Sequence, residues 1–97
     1  MSIKGKKVGF LGAGNMGEAL IRGMLQAGLV PVGSIFASDP QRERLAHIAR
    51  QYAIRAVEHN QDLVRDADVV VLAVKPQIMA TVLAEIAPAV DARQALR

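Results

Sequence analysis

Three glycines spaced G-x-G-x-x-G, in Gly12-Ala13-Gly14-Asn15-Met16-Gly17, are the residues of this chain best suited to chemistry, and that chemistry is the holding of a phosphate. The string alone is a weak signal in a chain with 8 glycines among 97 residues. Its position strengthens it, because it directly follows the apolar run Val8-Gly9-Phe10-Leu11 and opens a segment of helical periodicity. In that setting Gly12 makes the tight turn out of a strand, and Gly14 lets backbone approach a pyrophosphate without a Cβ between them. Gly17 then lets the helix pack closely on the strand. With Ala13 completing the loop, the backbone N–H groups of Asn15 and Met16 lie at the positive end of the helix dipole, where an anion is favoured.

Which dinucleotide would fit is decided at the end of the next strand. Asp39 lies 22 residues after Gly17, near the usual offset of a carboxylate that binds ribose hydroxyls. It also precedes Pro40, and an acidic N-cap followed by proline at the first helical position is a helix start, which favours the capping role. Ser38 closes the strand, and Arg42 and Arg44 follow in the next turn. A hydroxyl and guanidinium groups suit an adenosine 2′-phosphate, so NADP(H) is favoured over NAD(H). A solvated helix face is the competing role of each arginine.

These residues need a scaffold that brings strand ends together. Val8–Leu11 reads as a strand buried on both faces and Asn15–Ala27 as a helix, with Met16, Leu20, Ile21, Met24 and Leu25 on one stripe and Gly28 as C-cap. Ile35–Ser38 reads as a second strand, followed by a helix from Asp39-Pro40 that buries Leu45, Ile48, Ala49 and Tyr52. Ile54–Val57 is a weak third strand. Asn60 caps a short helix ending at Asp66, and Val69–Val74 is the strongest strand. Pro76 opens a last helix carrying Ile78, Val82, Leu83 and Ile86, with the pattern fading beyond Pro88. Alternation of this kind predicts an α/β fold: a doubly wound, Rossmann-like parallel sheet in the order 3-2-1-4, with helices on both faces. Ligand is expected at the carboxyl ends of strands 1 and 4.

Composition narrows the classes. Just over half the residues are hydrophobic, so a packed core is expected. Twelve basic against nine acidic residues leave a charge of +3, scattered rather than clustered, and the aromatics are only Phe10, Phe36 and Tyr52. That is too few rings for a base-stacking nucleic-acid binder. The absence of cysteine excludes disulfides, thiolate metal sites and cysteine nucleophiles. The longest apolar stretch is Val69–Val74, against the roughly 20 residues a membrane span needs. Residues 1–7 lack the apolar region of a signal peptide, so a cytoplasmic address is expected. His47 and His59 are read as solvated, and no metal ligands are assigned.

Three stretches together resemble the N-terminal domain of pyrroline-5-carboxylate reductase, the last enzyme of proline biosynthesis: Phe10 through Gly23, His59-Asn60, and Ala73-Val74-Lys75-Pro76-Gln77. The resemblance covers essentially the whole chain, and the last stretch is its most specific part. It implies an NAD(P)H-dependent oxidoreductase that passes hydride to the C=N bond of a small imine, 1-pyrroline-5-carboxylate, giving L-proline. By the same resemblance Ala73, Val74, Lys75 and Pro76 lie along the nicotinamide ribose side, with Lys75 positional rather than a general acid. Asn60 lies near the adenosine half, its plain capping role standing beside that one. Family members continue into an all-helical domain that carries most substrate contacts and builds oligomers. Residues 1–97 are therefore expected to be a cofactor domain alone, ending before a fifth strand, with no catalytic residue of its own. It would bind NADPH weakly without turnover and pair or swap at the edge of the fourth strand. Two other readings stay open: the NADP domain of another imine, β-hydroxyacid or deazaflavin-linked reductase, and a non-catalytic NADP(H)-sensing module.

Overall fold

Alternate residues of two strands face opposite layers, and that alternation builds the molecule. In a computed structural model, which describes residues 5–95, strand β1 (Val8–Leu11) and strand β2 (Ile35–Ser38) are buried along their whole length. Val8 and Phe10 of β1 with Ile35 and Ala37 of β2 join Ile21, Val30, Leu45, Ile48 and Ile54 in one apolar cluster. Leu11 and Phe36 turn to the other side and join Leu63, Val64, Ala67, Ile86 and Ala89. A sheet covered on both faces must read as continuous apolar runs, and β1 does.

The helices supply the two covers. Helix α1 (Asn15–Ala27) ends on Gly28 in the left-handed conformation at φ 66°, as expected. Helix α2 spans Arg42–Tyr52, strand β3 Arg55–Ala56, helix α3 Asn60–Asp66, strand β4 Val69–Leu72 and helix α4 Pro76–Ala95. All strand pairs are parallel and the order is β3-β2-β1-β4, the order read from the sequence. Leu11 pairs with Ser38 on one side and with Leu72 on the other, so three strands end level. The loops after them therefore meet. Gly12 N–H donates to the Ser38 carbonyl at 2.9 Å and Ala73 N–H to the Leu11 carbonyl at 2.8 Å, extending the pairing past the strands.

Several expectations need correction. Met16 and Leu20 are exposed; the inward stripe of α1 is Gly17 and Ile21 with Met24 and Leu25 half-buried, one helical period apart. Likewise Ile78 and Leu83 are exposed, and α4 packs through Val82, Ile86, Ala89 and Val90. That continuing stripe carries the helix through Pro88 to Ala95, although proline removes one backbone bond. Strand β4 stops at Leu72, two residues short of the apolar run, and β3 is only two residues long. Helix α2 starts at Arg42 with Gln41 as its N-cap, and α3 starts at Asn60 with His59 as its N-cap. Neither Asp39 nor Asn60 is thus the cap it was expected to be; both side chains are used elsewhere. The expected fifth strand, beyond Leu96, lies outside the described residues.

Gly9 shows how tightly α3 lies on the sheet. A Cβ there would sit 2.6 Å from Leu63 Cδ2 and 3.2 Å from Ala67 Cβ. Gly9→Ala is expected to cost about 1–3 kcal/mol through overpacking. Gly23→Ala, on the exposed side of α1 with nothing within 4 Å, is expected to gain about 0.5–1 kcal/mol. Urea denaturation of the two variants checks the contrast.

Candidate functional site

The turn from β1 into α1 is closed by backbone alone. Gly12 stands at φ +108°, and a Cβ on it would lie 2.5 Å from the Ala73 carbonyl oxygen. A Cβ on Gly17 would collide with the Gly12 carbonyl oxygen. Both glycines are thus required by packing, as assigned: one for the turn, one for the close approach of helix and strand.

Gly14 is different. It has φ −77°, which any residue adopts, and nothing lies within 4 Å of where its Cβ would be. Protein packing gives no reason for glycine here, whereas a ligand approaching the backbone does. Gly14 is also the N-cap of α1 and makes no side-chain cap bond. The first-turn N–H groups of Asn15, Met16 and Gly17 have no intrahelical acceptor, so they are available to an anion.

Above the level strand ends opens a cleft of about 720 Å³. Leu11 and Gly12 form its floor, Asp39 and Pro40 one side, and His59, Asn60, Val74, Ile78 and Val82 much of the rest. A second hollow of about 440 Å³ lies beyond β2, lined by Asp39, Pro40, Arg42, Val57, Glu58 and His59 among others. Asp39 and Pro40 border both, so the end of β2 is the ridge between them. Lys75 and Pro76 are exposed at the start of α4, where Lys75 offers its carbonyl to Ile78 N–H at 3.1 Å.

Asp39 ties the loop to the next element. Its Oδ2 accepts the Ala13 N–H at 2.7 Å and its Oδ1 the Gln41 N–H at 2.8 Å. Arg44 donates through Nε to the Ala13 carbonyl at 3.0 Å and through Nη2 to Glu18 Oε1 at 2.6 Å. Its guanidinium is therefore held on the loop and α1, and it does not line the hollow beyond Asp39. Arg42 is 83% exposed and pairs at 3.0 Å with Glu58, itself 62% exposed. Such a pair contributes about 0–1 kcal/mol and gives way easily to another anion.

Ser38 is buried, and its hydroxyl donates to Asn60 Oδ1 at 2.5 Å. Asn60 in turn donates through Nδ2 to Glu85 Oε1 at 2.6 Å, and Gln61 Nε2 donates to the Glu85 carbonyl at 2.9 Å. The cleft wall is in this way stitched from β2 through α3 to α4. Sequence reasoning missed Glu85, Glu18 and Tyr52. Their partners lie 25 to 34 residues away, and no local pattern marks such a pair.

Tyr52 donates its hydroxyl to Glu18 Oε2 at 2.6 Å. This bond, then the Arg44 guanidinium, holds the Glu18 carboxyl below its ordinary value of 4.5; the same bond pushes the Tyr52 phenol above 10.0. Glu18 thus contributes stability that is full above pH 4.5 and lost as pH falls through the lowered folded-state value. Tyr52 contributes below pH 10.0 and loses that contribution as pH rises through its raised value. Glu18→Gln is expected to be less stable than the parent at pH 7, with the difference shrinking on acidification. Urea midpoints measured from pH 7 to 3 check the sign.

A parallel 3-2-1-4 sheet, a glycine turn out of β1 and an open helix N-terminus beside a cleft at the strand ends define a Rossmann-like dinucleotide-binding domain. The chain belongs to the family described as NADP oxidoreductase, coenzyme F420-dependent, whose model matches residues 7–96. It is 50% identical over 88 residues to the pyrroline-5-carboxylate reductase of Pseudomonas aeruginosa, covering 91% of this chain and 32% of that protein. Among solved structures, the pyrroline carboxylate reductase of Plasmodium falciparum, with NADP bound, superposes with a TM-score of 0.74 at 32% identity. That match covers 87% of this chain and 29% of the other. The pyrroline-5-carboxylate reductase of Coxiella burnetii gives 0.77 at 27% identity, over 84% of this chain and 30% of that one. The resemblance read from the sequence is borne out, and it is to the N-terminal part of these enzymes. The chain spans about a third of the length of these relatives. Among the described residues no helix is long and apolar enough to cross a membrane.

Proposed function

We propose that residues 1–97 form the cofactor domain of a cytoplasmic pyrroline-5-carboxylate reductase, with NADP(H) preferred over NAD(H). The observation that carries the nucleotide site is Gly14, a glycine that packing does not require, at the uncapped N-terminus of α1. Bound NADPH would supply hydride from its nicotinamide to the carbon of a C=N bond, the imine taking up a proton to become a secondary amine. This chain's residues hold and orient. The Gly12–Gly17 turn with Ala13, and the N–H groups of Asn15 and Met16, receive the pyrophosphate. Ala73, Val74, Lys75 and Pro76 border the nicotinamide ribose side, and the half-buried Val74 limits water there. Ser38, Asp39 and Asn60 shape the adenosine side, Ser38 by holding the Asn60 amide in place.

Arg42 is the residue that favours NADP(H). It lines the hollow beyond Asp39 and is released from Glu58 at little cost, so a 2′-phosphate can recruit it. The imine substrate, the helical domain that contacts it and the homo-oligomer belong to the same reading, supported by pyrroline-5-carboxylate reductases 36–50% identical to this chain. A deazaflavin-linked NADP reductase is the second reading, favoured only by the family's description.

Fluorescence titration of the 97-residue chain is expected to show NADPH binding more tightly than NADH, without imine reduction. Arg42→Ala should weaken NADPH about tenfold and NADH little. Equal binding of both cofactors by the parent overturns the preference. Gly14→Val should cost no more than about 1 kcal/mol in urea denaturation, the loss expected from a poorer N-cap, while weakening both cofactors at least about tenfold. Unchanged affinity in that variant would remove the nucleotide site from the loop.

A further inference from the structure

The Ala13–Gly14 peptide is held by a side chain that is itself tied to α1. Arg44 reaches from α2 with Nε on the Ala13 carbonyl, and its Nη2 rests on Glu18 of α1. A trans peptide points its C=O and N–H in opposite directions, and no cis bond occurs among the described residues. Fixing the Ala13 carbonyl toward Arg44 therefore aims the Gly14 N–H away from it. The preceding peptide is fixed as well, because Asp39 takes the Ala13 N–H. Two successive peptides of the loop are thus set by side chains from outside it.

We propose that Arg44 is a positioning residue for the phosphate loop, held in its own place by Glu18 and Tyr52. The Arg44–Glu18 pair is 27% and 18% exposed, against 83% and 62% for Arg42–Glu58, so the former is a fixed strut and the latter a loose surface contact. Glu18 uses both oxygens, one for Arg44 and one for Tyr52, and the depressed carboxyl value reflects the same two bonds. Because Glu18 cancels its charge, Arg44 acts through geometry rather than attraction. Its two bonds leave in the fixed directions of a guanidinium fork, which an ammonium does not reproduce.

The inference rests on the dinucleotide reading, and two measurements separate them. In the first, Arg44→Ala, Arg44→Lys and Tyr52→Phe are titrated with NADPH and NADH well below their unfolding temperatures. The two Arg44 variants should lose about tenfold for each cofactor, leaving the NADPH-to-NADH ratio unchanged, with no rescue by lysine. Tyr52→Phe, which keeps the guanidinium and tests the case should Arg44 variants not fold, should lose about two- to threefold for both. A loss confined to NADPH would make Arg44 a 2′-phosphate ligand and overturn the proposal, as would unchanged affinity in folded variants. In the second, amide hydrogen exchange of the ligand-free chain should rise at least about tenfold at Ala13, whose N–H is bonded to Asp39, in Arg44→Ala, or by a lesser factor in Tyr52→Phe, with β1 and β2 unchanged. Unchanged exchange at Ala13 overturns the strut even if the parent binds neither cofactor, an outcome that by itself would sink only the dinucleotide reading.

Discussion

Strand β1 ends against the start of the β4–α4 connection with no room for a side chain, and the site depends on that contact. The Ala73 carbonyl lies where a Cβ of residue 12 would be, and the Gly12 carbonyl lies where a Cβ of residue 17 would be. Two missing methyl-sized groups let β1, α1 and β4 meet at one point. Because Leu11, Ser38 and Leu72 end level, the point of closest packing is also where three loops converge. A tightly packed part of the fold therefore sets the floor of the cleft. Loosening it would move the first turn of α1 and the wall of the cleft together.

What was legible in the sequence follows from the range of the forces involved. Strands β1 and β2, helix α1 and its Gly28 cap arise from local patterning, and they occur with the bounds their residues suggest. The sheet order follows from alternation and handedness, which are also properties of neighbours in sequence. The starts of α2 and α3 were misread for one reason. Asp39 and Asn60 have good capping chemistry, but each has a partner from another element at 2.5–2.7 Å. Tertiary contacts outcompeted the local cap. The partners of Arg44 are hidden from the sequence for the same reason: only the folded chain brings Glu18 and the Ala13 carbonyl beside it.

The hydrophobic stripes show the complementary error. Met16, Leu20, Ile78 and Leu83 share the helical spacing of the residues beside them that reach the core, yet all four are exposed. Met16 and Ile78 sit in the first turns of the two helices that begin at the cleft, one turn ahead of the residues that reach the core. A helix that starts at a site must carry its first apolar side chains past the sheet edge. Ile78 accordingly lines the cleft, where an apolar wall limits water.

Charge placement around the site gives the last step. Asp39, Glu58, Asp62 and Glu85 border the cleft, and among the described residues no lysine or arginine lines it. Within the cleft, the groups suited to an anion are the backbone N–H groups at the uncapped start of α1. Backbone donors act only when correctly aimed, since each is a fixed dipole of short reach. That requirement explains why the loop is held so heavily: Asp39 fixes one peptide and Arg44 the next. The acidic rim has a matching consequence. With carboxylates at the cleft and Arg42 beyond the β2 ridge in the second hollow, positive charge is offered at one end of the site rather than along it. Arg42 lines that hollow, and its exposed pair with Glu58 gives way easily to another anion.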